Sequence, residues 1–318
     1  MNHLKTLVAG LGLALAGTQA SAQDYPDQPV RLIVPYSAGG GTDLSARLLQ
    51  PHLADALGTA VVVENRPGGG GWVGWTELKN AKPDGYTIGY VNLPNLVVGY
   101  LNPDMQRSET WQDYDFLTNH VVDSGVVLIR PDDDRFGTAE ELVAYAKEHT
   151  MSISSSGIGS ATHFAGLKLN AKLGTNFKFI HAGGTSDSVP QLLGGTLDVL
   201  TAGVGEATAL IDNGDAIPVA VFGDKRNEML PDVPTITEVT GVAFDQLLRR
   251  AIAAPKGLDP AVRDTLVSAL VAAQTQSPHR EDLAKVGLLA DDLSGEALVS
   301  MVSQLEADII AFKPELGW

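Results

Sequence analysis

The stretch VRLIVPYSAGGGTD, residues 30–43, decides the fold class. Val30–Val34 is an apolar run of strand length, and it leads into three consecutive glycines, Gly39–Gly41. The next segment, Leu44–Leu57, has the apolar periodicity of an amphipathic helix. A strand, a glycine-rich loop and the start of a helix together present backbone N–H groups that can bind an anion. The stretch therefore predicts an α/β unit with an anion-binding loop.

Outward from this stretch, apolar runs of strand length alternate with helical segments. The strand candidates are Val30–Val34, Val61–Glu64, Thr87–Val91, Gly125–Ile129, Ser152–Ser155, Phe177–His181, Asp198–Ala202 and Pro218–Gly223. The helix candidates are Leu44–Leu57, Ala139–Glu148, Thr162–Leu173, Val189–Leu193, Ala207–Asn213, Ala261–Gln274 and Gly295–Phe312. This alternation predicts βαβ units, mostly parallel sheets and an α/β fold class.

The first 22 residues are typical of a secretory signal peptide. Lys5 supplies the positive start, Leu7–Gly17 the apolar stretch, and Ala20–Ala22 the small-residue cleavage pattern. We expect cleavage near Ala22 and a periplasmic mature protein that starts near Gln23. An uncleaved membrane anchor is the alternative, but the apolar stretch is too short to span a bilayer.

Composition excludes several classes of function. The chain has 22 basic and 38 acidic residues and a net charge of -16, which argues against nucleic acid or an anionic membrane surface as partner. It has no Cys, which excludes disulfides and thiol nucleophiles. The seven histidines show no metal-site spacing, so we expect no metal and no cofactor. Without the first 22 of its 318 residues, the mature chain has 296 residues, which suggests two domains at roughly 150 residues per domain.

A second glycine-rich loop resembles the first one in its context. The sequence SSSGIGSATH, residues 154–163, follows a strand candidate and precedes a helix candidate. Its serine and threonine hydroxyls add donors, and Gly157 and Gly159 allow a close backbone approach. If the two loops face each other, they can clamp an anion between them.

A structural explanation is the alternative for both loops. Each could be a tight turn whose polar residue only caps the following helix. Thr42 or Asp43 would be the cap in the first loop, and Ser160 or Thr162 in the second.

Two enzyme signatures are incomplete in this chain. Gly157-Ile158-Gly159 is followed by Thr162 where a dinucleotide fingerprint needs its third glycine. The segment 184–188, GTSDS, lacks the second glycine of a serine-hydrolase elbow. An ester or amide hydrolase that uses His163 or His181 as base stays open as an alternative.

Five stretches make the chain resemble the Bug-type extracytoplasmic solute receptors of tripartite tricarboxylate transporters. They are YPDQPVRLIVP (25–35), VVVENRPGGGG (61–71), PDGYT (83–87), LLGGTLD (192–198) and LPDVPT (230–235). ENRPG and PDGY are the most specific of these elements. Ala38 stands where the family usually has proline, and 180–183, IHAG, stands where it commonly has Pro-Tyr-Lys/Arg-Gly. Arg249 and Arg250 could form a positive spot, although surface arginines are common.

The resemblance implies a type 2 periplasmic-binding-protein fold, in which two Rossmann-like α/β domains enclose a ligand cleft. Domain 1 would be residues 23–122 plus 226–318, and domain 2 would be residues 123–225. The implied function is capture of a small organic carboxylate (a di- or tricarboxylate, an amino acid or an aromatic acid) and its delivery to membrane permease subunits. Cleft closure rather than chemistry would do this work. A receptor that signals to a two-component kinase is the alternative.

The residues expected to contact the solute come from the two loops and from a third segment at the distal end. They are Tyr36, Ser37, Ala38, Gly39, Gly40, Gly41, Thr42, Asp43, Ser156, Gly157, Gly159, Ser160, Ala161, Thr162, His163, Thr185, Asp187 and Ser188.

Overall fold

The computed structural model describes residues 25–223, 225–244 and 247–316, so the predicted signal peptide lies outside the described residues. The strands are β1 (Val30–Val34), β2 (Val61–Asn65), β3 (Thr87–Leu93), β4 (Tyr114–Ile129), β5 (Met151–Ser155), β6 (Phe177–His181), β7 (Leu200–Gly203), β8 (Ile217–Val221), β9 (Leu247–Pro255) and β10 (Leu289–Ala290). The helices are α1 (Gly41–Leu57), α2 (Trp72–Asn80), α3 (Asn95–Leu101), α4 (Ala139–Glu148), α5 (Ala161–Leu173), α6 (Thr185–Leu193), α7 (Val204–Asp212), α8 (Ile236–Thr240), α9 (Pro260–Gln274), α10 (Ser277–Lys285) and α11 (Gly295–Leu316). Within the described ranges, every helix is too short or too polar to cross a bilayer.

The strand β1 lies inside the sheet of the first domain, with parallel partners β2 and β3 on its two sides. Its side chains are buried on both faces because helices cover both faces. Leu32 and Val34 pack with α1 and α9, whereas Ile33 packs on the other face with Trp75 of α2 and Leu298 of α11. This packing fixes the end of β1, and therefore the loop that leads into α1.

The strand β4 is shared by the two domains. Its first part, 114–124, pairs with β9, and its last part, 125–129, pairs with β7 and β8. All of these pairings are antiparallel, as is the pairing of β9 with β3. The expectation of mostly parallel sheets is therefore wrong, because the long strands that connect the domains run antiparallel to their neighbours. The result is a mixed α/β fold with two domains.

The second domain places the other glycine-rich loop after β5. The parallel pair β5–β6 is connected by a bridge between Ile153 and Val199, the residue that directly precedes β7. Apolar residues of β4, α4, α5 and β8 form its core, and Ile236 and Phe244 pack against the same core. The predicted residue ranges of the two domains stay a prediction.

Most predicted elements occur within a few residues of their expected bounds. The bounds of Val30–Val34, Phe177–His181 and Ala139–Glu148 are the observed ones. The helix α1 begins at Gly41, three residues before its apolar periodicity, because Gly40 occupies the N-cap position. No element is predicted for β9, where two arginines interrupt the apolar run, or for α2, which directly follows a run of glycines.

Candidate functional site

The two glycine-rich loops face each other across one cavity between the domains. The cavity encloses about 420 Å³, including its opening. Its walls come from both domains, and the lining residues are Tyr36, Gly40, Gly41, Thr42, Asn92, Asn95, Ser156, Ser160, Ala161, Thr162, Gly184, Thr185, Glu206, Leu248 and Arg250.

Helix N-termini from both domains point at this cavity. The N-cap residues Gly40 of α1, Ser160 of α5 and Gly184 of α6 all line it. Each N-terminus carries a partial positive charge and N–H groups that have no partner inside the helix. The N–H groups of Thr42 and Ala161 have no hydrogen-bond acceptor within the described part of the chain. The arrangement is suited to a small anion held between α1 and α5.

The first loop keeps its shape through the side chain of Asp43. Its Oδ2 atom accepts hydrogen bonds from the backbone N–H of Gly39 at 2.9 Å and from Arg47 at 2.9 Å, and Oδ1 accepts from Asn65 at 3.0 Å. Although burial raises the pKa of Asp43, these donors lower it below its usual value. The carboxylate is therefore ionised and satisfied by donors from the loop, α1 and β2, and it lies outside the cavity lining.

The second loop is also held by internal hydrogen bonds. Ser160 Oγ accepts from the backbone N–H of His163 at 3.2 Å, and Thr162 Oγ1 accepts from that of Ser156 at 2.9 Å. His163 Nδ1 accepts from the N–H of Gly159 at 3.0 Å, so the imidazole carries its proton on Nε2. Burial, together with the neighbouring His181, lowers the pKa of His163 to about 4. His163 is therefore a neutral, structural acceptor in this loop.

Arg250 is the buried cation of the cavity, with 1% of its surface exposed. It lies between the carboxylates of Asp123, at 3.4 Å, and Glu206, at 3.1 Å. Burial opposes its charge, but these two carboxylates raise its pKa. Burial raises the pKa of Asp123 to about 7, against the opposing effect of Arg250. The guanidinium charge of Arg250 is therefore already paired with carboxyl groups of the protein itself.

Two buried asparagines supply further polar groups. Tyr36 donates its hydroxyl hydrogen to the carbonyl oxygen of Gly70 at 3.1 Å, so it accepts the Nδ2 hydrogen of Asn95. The Oδ1 atom of Asn95 is then buried with no partner among the described residues. Asn92 donates to Thr42 Oγ1 at 2.8 Å and also leaves its Oδ1 unpaired within the described ranges. Both residues line the cavity, where a bound molecule could satisfy them.

The structure brings half of the predicted site residues to the cavity wall. The residues that line it are Tyr36, Gly40, Gly41, Thr42, Ser156, Ser160, Ala161, Thr162 and Thr185. The predicted residues outside this lining are Ser37, Ala38, Gly39, Asp43, Gly157, Gly159, His163, Asp187 and Ser188. Ser37 and Asp187 are joined by a 3.1 Å hydrogen bond between the two domains.

Five lining residues are absent from the predicted site: Asn92, Asn95, Glu206, Leu248 and Arg250. Asn92 is a polar residue inside an otherwise apolar strand, and Asn95 begins the helix just after that strand. Polar residues at the end of a buried strand are a sequence signal that could have indicated a binding role. The sequence predicts for Arg249 and Arg250 either a positive spot or ordinary surface arginines, and the pairing of β9 with β3 and β4 buries Arg250. Glu206 gave no signal, since a Glu in a first helical turn is common.

The family model that matches this chain is described as tripartite tricarboxylate transporter family receptor, and it covers residues 45–304. The chain belongs to this receptor family. A family member from Cupriavidus necator, named UPF0065 protein in gbd 5'region, is 33% identical over 282 residues, which is 87% of this chain and 84% of that protein. The resemblance found in the sequence is thereby confirmed.

Solved structures show the same fold. The periplasmic binding protein BugD has a TM-score of 0.86 and 31% identity, with 92% of this chain and 99% of that chain covered. MatC (Rpa3494) from Rhodopseudomonas palustris with bound malate has a TM-score of 0.83 and 24% identity, with 92% of this chain and 100% of that chain covered. The predicted periplasmic-binding-protein fold is confirmed, and membership of the receptor family implies a periplasmic location.

Proposed function

We propose that this receptor captures a small organic carboxylate in the cavity between α1 and α5 and delivers it to the permease subunits of a tripartite tricarboxylate transporter. The observation that carries the proposal is the convergence of helix N-termini from two domains on one cavity. Backbone N–H groups bind carboxylates well, and a hydrogen bond to a charged group contributes about 1.5–3 kcal/mol. Three or four such bonds near the upper end of this range reach the free energy of micromolar binding, about 8 kcal/mol.

The position of the site between the domains supports capture by closure. The solute would contact the first loop through Gly40–Thr42 and the second through Ser160–Thr162, with Thr185 at the distal end. The unpaired Oδ1 atoms of Asn92 and Asn95 favour a solute that also carries a hydrogen-bond donor, such as a hydroxyl group. The structure of MatC, which shares the fold, contains bound malate, a dicarboxylate that also carries a hydroxyl group. Export would precede binding, with cleavage of the signal peptide near Ala22.

The hydrolase alternative has weaker support. The Ser155 hydroxyl lies 2.5 Å from His181 Nδ1, but Ser155 is buried and lies outside the cavity lining. The sensing alternative uses the same closed receptor, so it differs from transport only in the membrane partner.

A thermal-shift screen of residues 23–318 tests the proposal. The protein, stripped of co-purified ligand, is heated with mono-, di-, tri- and aromatic carboxylates and with the amides of the same acids. We expect one carboxylate class to stabilise the folded state by about 2.7 kcal/mol at a hundredfold excess over Kd, and its amide to have no effect. Equal shifts with acid and amide, or no shift with any acid, would contradict the proposal.

A further inference from the structure

The cavity already holds a carboxylate that belongs to the protein. Glu206 lies in the first turn of α7, in the second domain, and reaches across the cleft to the first domain. Its Oε1 atom accepts hydrogen bonds from the backbone N–H of Gly41 at 3.0 Å and from Arg250 Nη2 at 3.1 Å. Its Oε2 atom accepts the hydroxyl hydrogen of Thr185.

These three partners are the ones that a bound carboxylate would need. The Gly41 N–H is the first of α1, the Arg250 guanidinium is the buried cation of the cavity, and Thr185 begins α6. A helix N-terminus, a guanidinium and a hydroxyl are strong donors to a carboxylate. The side chain of Glu206 is only 14% exposed, so its charge depends on these donors rather than on water.

The space around these donors admits one carboxylate at a time. A Cβ atom on Gly41 would lie 2.5 Å from Arg250 Nη2 and would overlap with Oε1 of Glu206, so the three groups are in close contact. A second carboxylate at the Gly41 N–H would also lie beside the charge of Glu206 in a partly buried place, where like charges repel strongly.

From these contacts, and on the basis of the proposed function, we infer that Glu206 is a specificity-determining residue that occupies the anion position as an internal ligand. The carboxylate of the solute binds at the N–H of Gly41 only by displacing the carboxylate of Glu206. Arg250 and Thr185 then change partner from Glu206 to the solute. The binding free energy of the solute is therefore a difference: the free energy gained when its carboxylate binds these donors, less the free energy lost when the carboxylate of Glu206 leaves them.

The test compares Glu206→Gln with the wild-type protein by calorimetric titration, using the carboxylate selected in the thermal-shift screen. Gln keeps the size and hydrogen-bonding atoms of the side chain but removes its charge. Glu140→Gln, at an exposed position of α4, is the control for the loss of one negative charge outside the cleft. Glu206→Asp is the second variant, in case Glu206→Gln folds poorly. Its side chain is one methylene shorter, so its carboxylate withdraws from Gly41.

We expect Glu206→Gln and Glu206→Asp to bind the solute about tenfold more tightly, because the solute then has one charge-assisted hydrogen bond fewer to displace. Glu140→Gln should bind the solute as the wild-type protein does. Unchanged or weaker binding in both Glu206 variants would overturn the inference, and the proposed function would stand because the wild-type protein binds. If neither the wild-type protein nor the variants bind any carboxylate, the proposed function and the inference both fail.

Discussion

The Oε1 atom of Glu206 lies 3.0 Å from the backbone nitrogen of Gly41, so a side chain of the second domain lies at the N-terminus of a helix of the first. This relationship identifies the position in the cleft where negative charge is stabilised. It also explains why residue 41 is a glycine, since a Cβ there would clash with the side chains of Glu206 and Arg250.

The first prediction concerns Gly41→Ala. The added Cβ would meet Arg250 Nη2 at 2.5 Å, so it would fill the anion position. We expect at least a tenfold loss of carboxylate affinity by calorimetry, about 1.4 kcal/mol or more. Gly137→Ala is the matched control, because Gly137 lies outside the cavity lining and its Cβ would make only an ordinary 3.8 Å contact with Oε2 of Glu141. Equal losses of carboxylate affinity in both variants would contradict the assignment of the anion position to the N–H of Gly41.

The second prediction separates helix capping from binding at the second loop. Ser160 caps α5 and Thr138 caps α4, each by accepting a hydrogen bond from the N3 backbone N–H at 3.2 Å. Ser160→Ala and Thr138→Ala should each lower the free energy of unfolding by about 1 kcal/mol in urea denaturation.

Only Ser160 lines the cavity, so only Ser160→Ala should also weaken carboxylate binding. Full affinity in Ser160→Ala would assign this serine to capping alone.

The third prediction concerns the contact between the two domains at Gly70. Gly70 lies in the glycine run before α2, and a Cβ on it would lie 2.5 Å from the carbonyl oxygen of Ile158 in the second glycine-rich loop. Gly70→Ala should therefore hold the two domains apart. Gly214→Ala is the control, because Gly214 has the same φ of 72° but no atom within 4 Å of the added Cβ. Both variants should lose about 1–2 kcal/mol of stability from backbone strain.

Small-angle scattering measures the result of the Gly70→Ala comparison. We expect a larger radius of gyration and weaker binding for Gly70→Ala only. A compact, fully binding Gly70→Ala protein would mean that closure does not require this contact.

Much of this architecture could be predicted from the sequence, because buried strands and glycine-rich loops have strong local signals. Val30–Val34 and Ala139–Glu148 have the observed bounds, and both loops of the cavity are among the predicted site residues. What the sequence could not provide is the environment of single polar residues far apart in the chain. Arg250 and Glu206 form one cluster only because β9 and α7 converge on the cleft, and no local pattern in either segment encodes this contact.

The fourth prediction concerns the buried charge of Arg250. Arg250→Met leaves two carboxylates, Asp123 and Glu206, without their cation, which should lower the free energy of unfolding by about 3–5 kcal/mol. Arg249→Met is the control, since that arginine forms a partly exposed ion pair with Asp291, and its loss should cost about 1 kcal/mol or less.

Urea denaturation of both variants gives these differences. Adding Asp123→Asn to Arg250→Met should recover part of the loss. Similar small losses at the two arginines would contradict the assignment of Arg250 as a structural cation.

The fifth prediction is a loss of stability in acid. Burial, with the charge of His52 as a smaller cause, lowers the pKa of His279 to about 4 in the folded state. The unfolded chain, with an ordinary pKa near 6.5, then binds a proton first. Stability contributed by the neutral imidazole is present above pH 6.5 and is lost as pH falls toward 4, at up to about 1.4 kcal/mol per pH unit.

Chemical denaturation between pH 7 and pH 4 measures this slope. His279→Gln should reduce the slope of the free energy of unfolding against pH by the contribution of one titrating group. His149→Gln, at an exposed position, is the control and should leave the slope unchanged. If His279→Gln leaves this slope unchanged, His279 is not buried in its neutral form in the folded protein.

The most direct test of the central claim is a crystal structure of residues 23–318 with the carboxylate selected by the thermal-shift screen. We expect carboxylate oxygens within hydrogen-bond distance of the backbone nitrogens of the first loop, at Gly41 or Thr42, and of the second loop, at Ala161 or Thr162. A solute bound elsewhere, or bound in the cavity with its carboxylate turned away from both helix N-termini, would contradict the account.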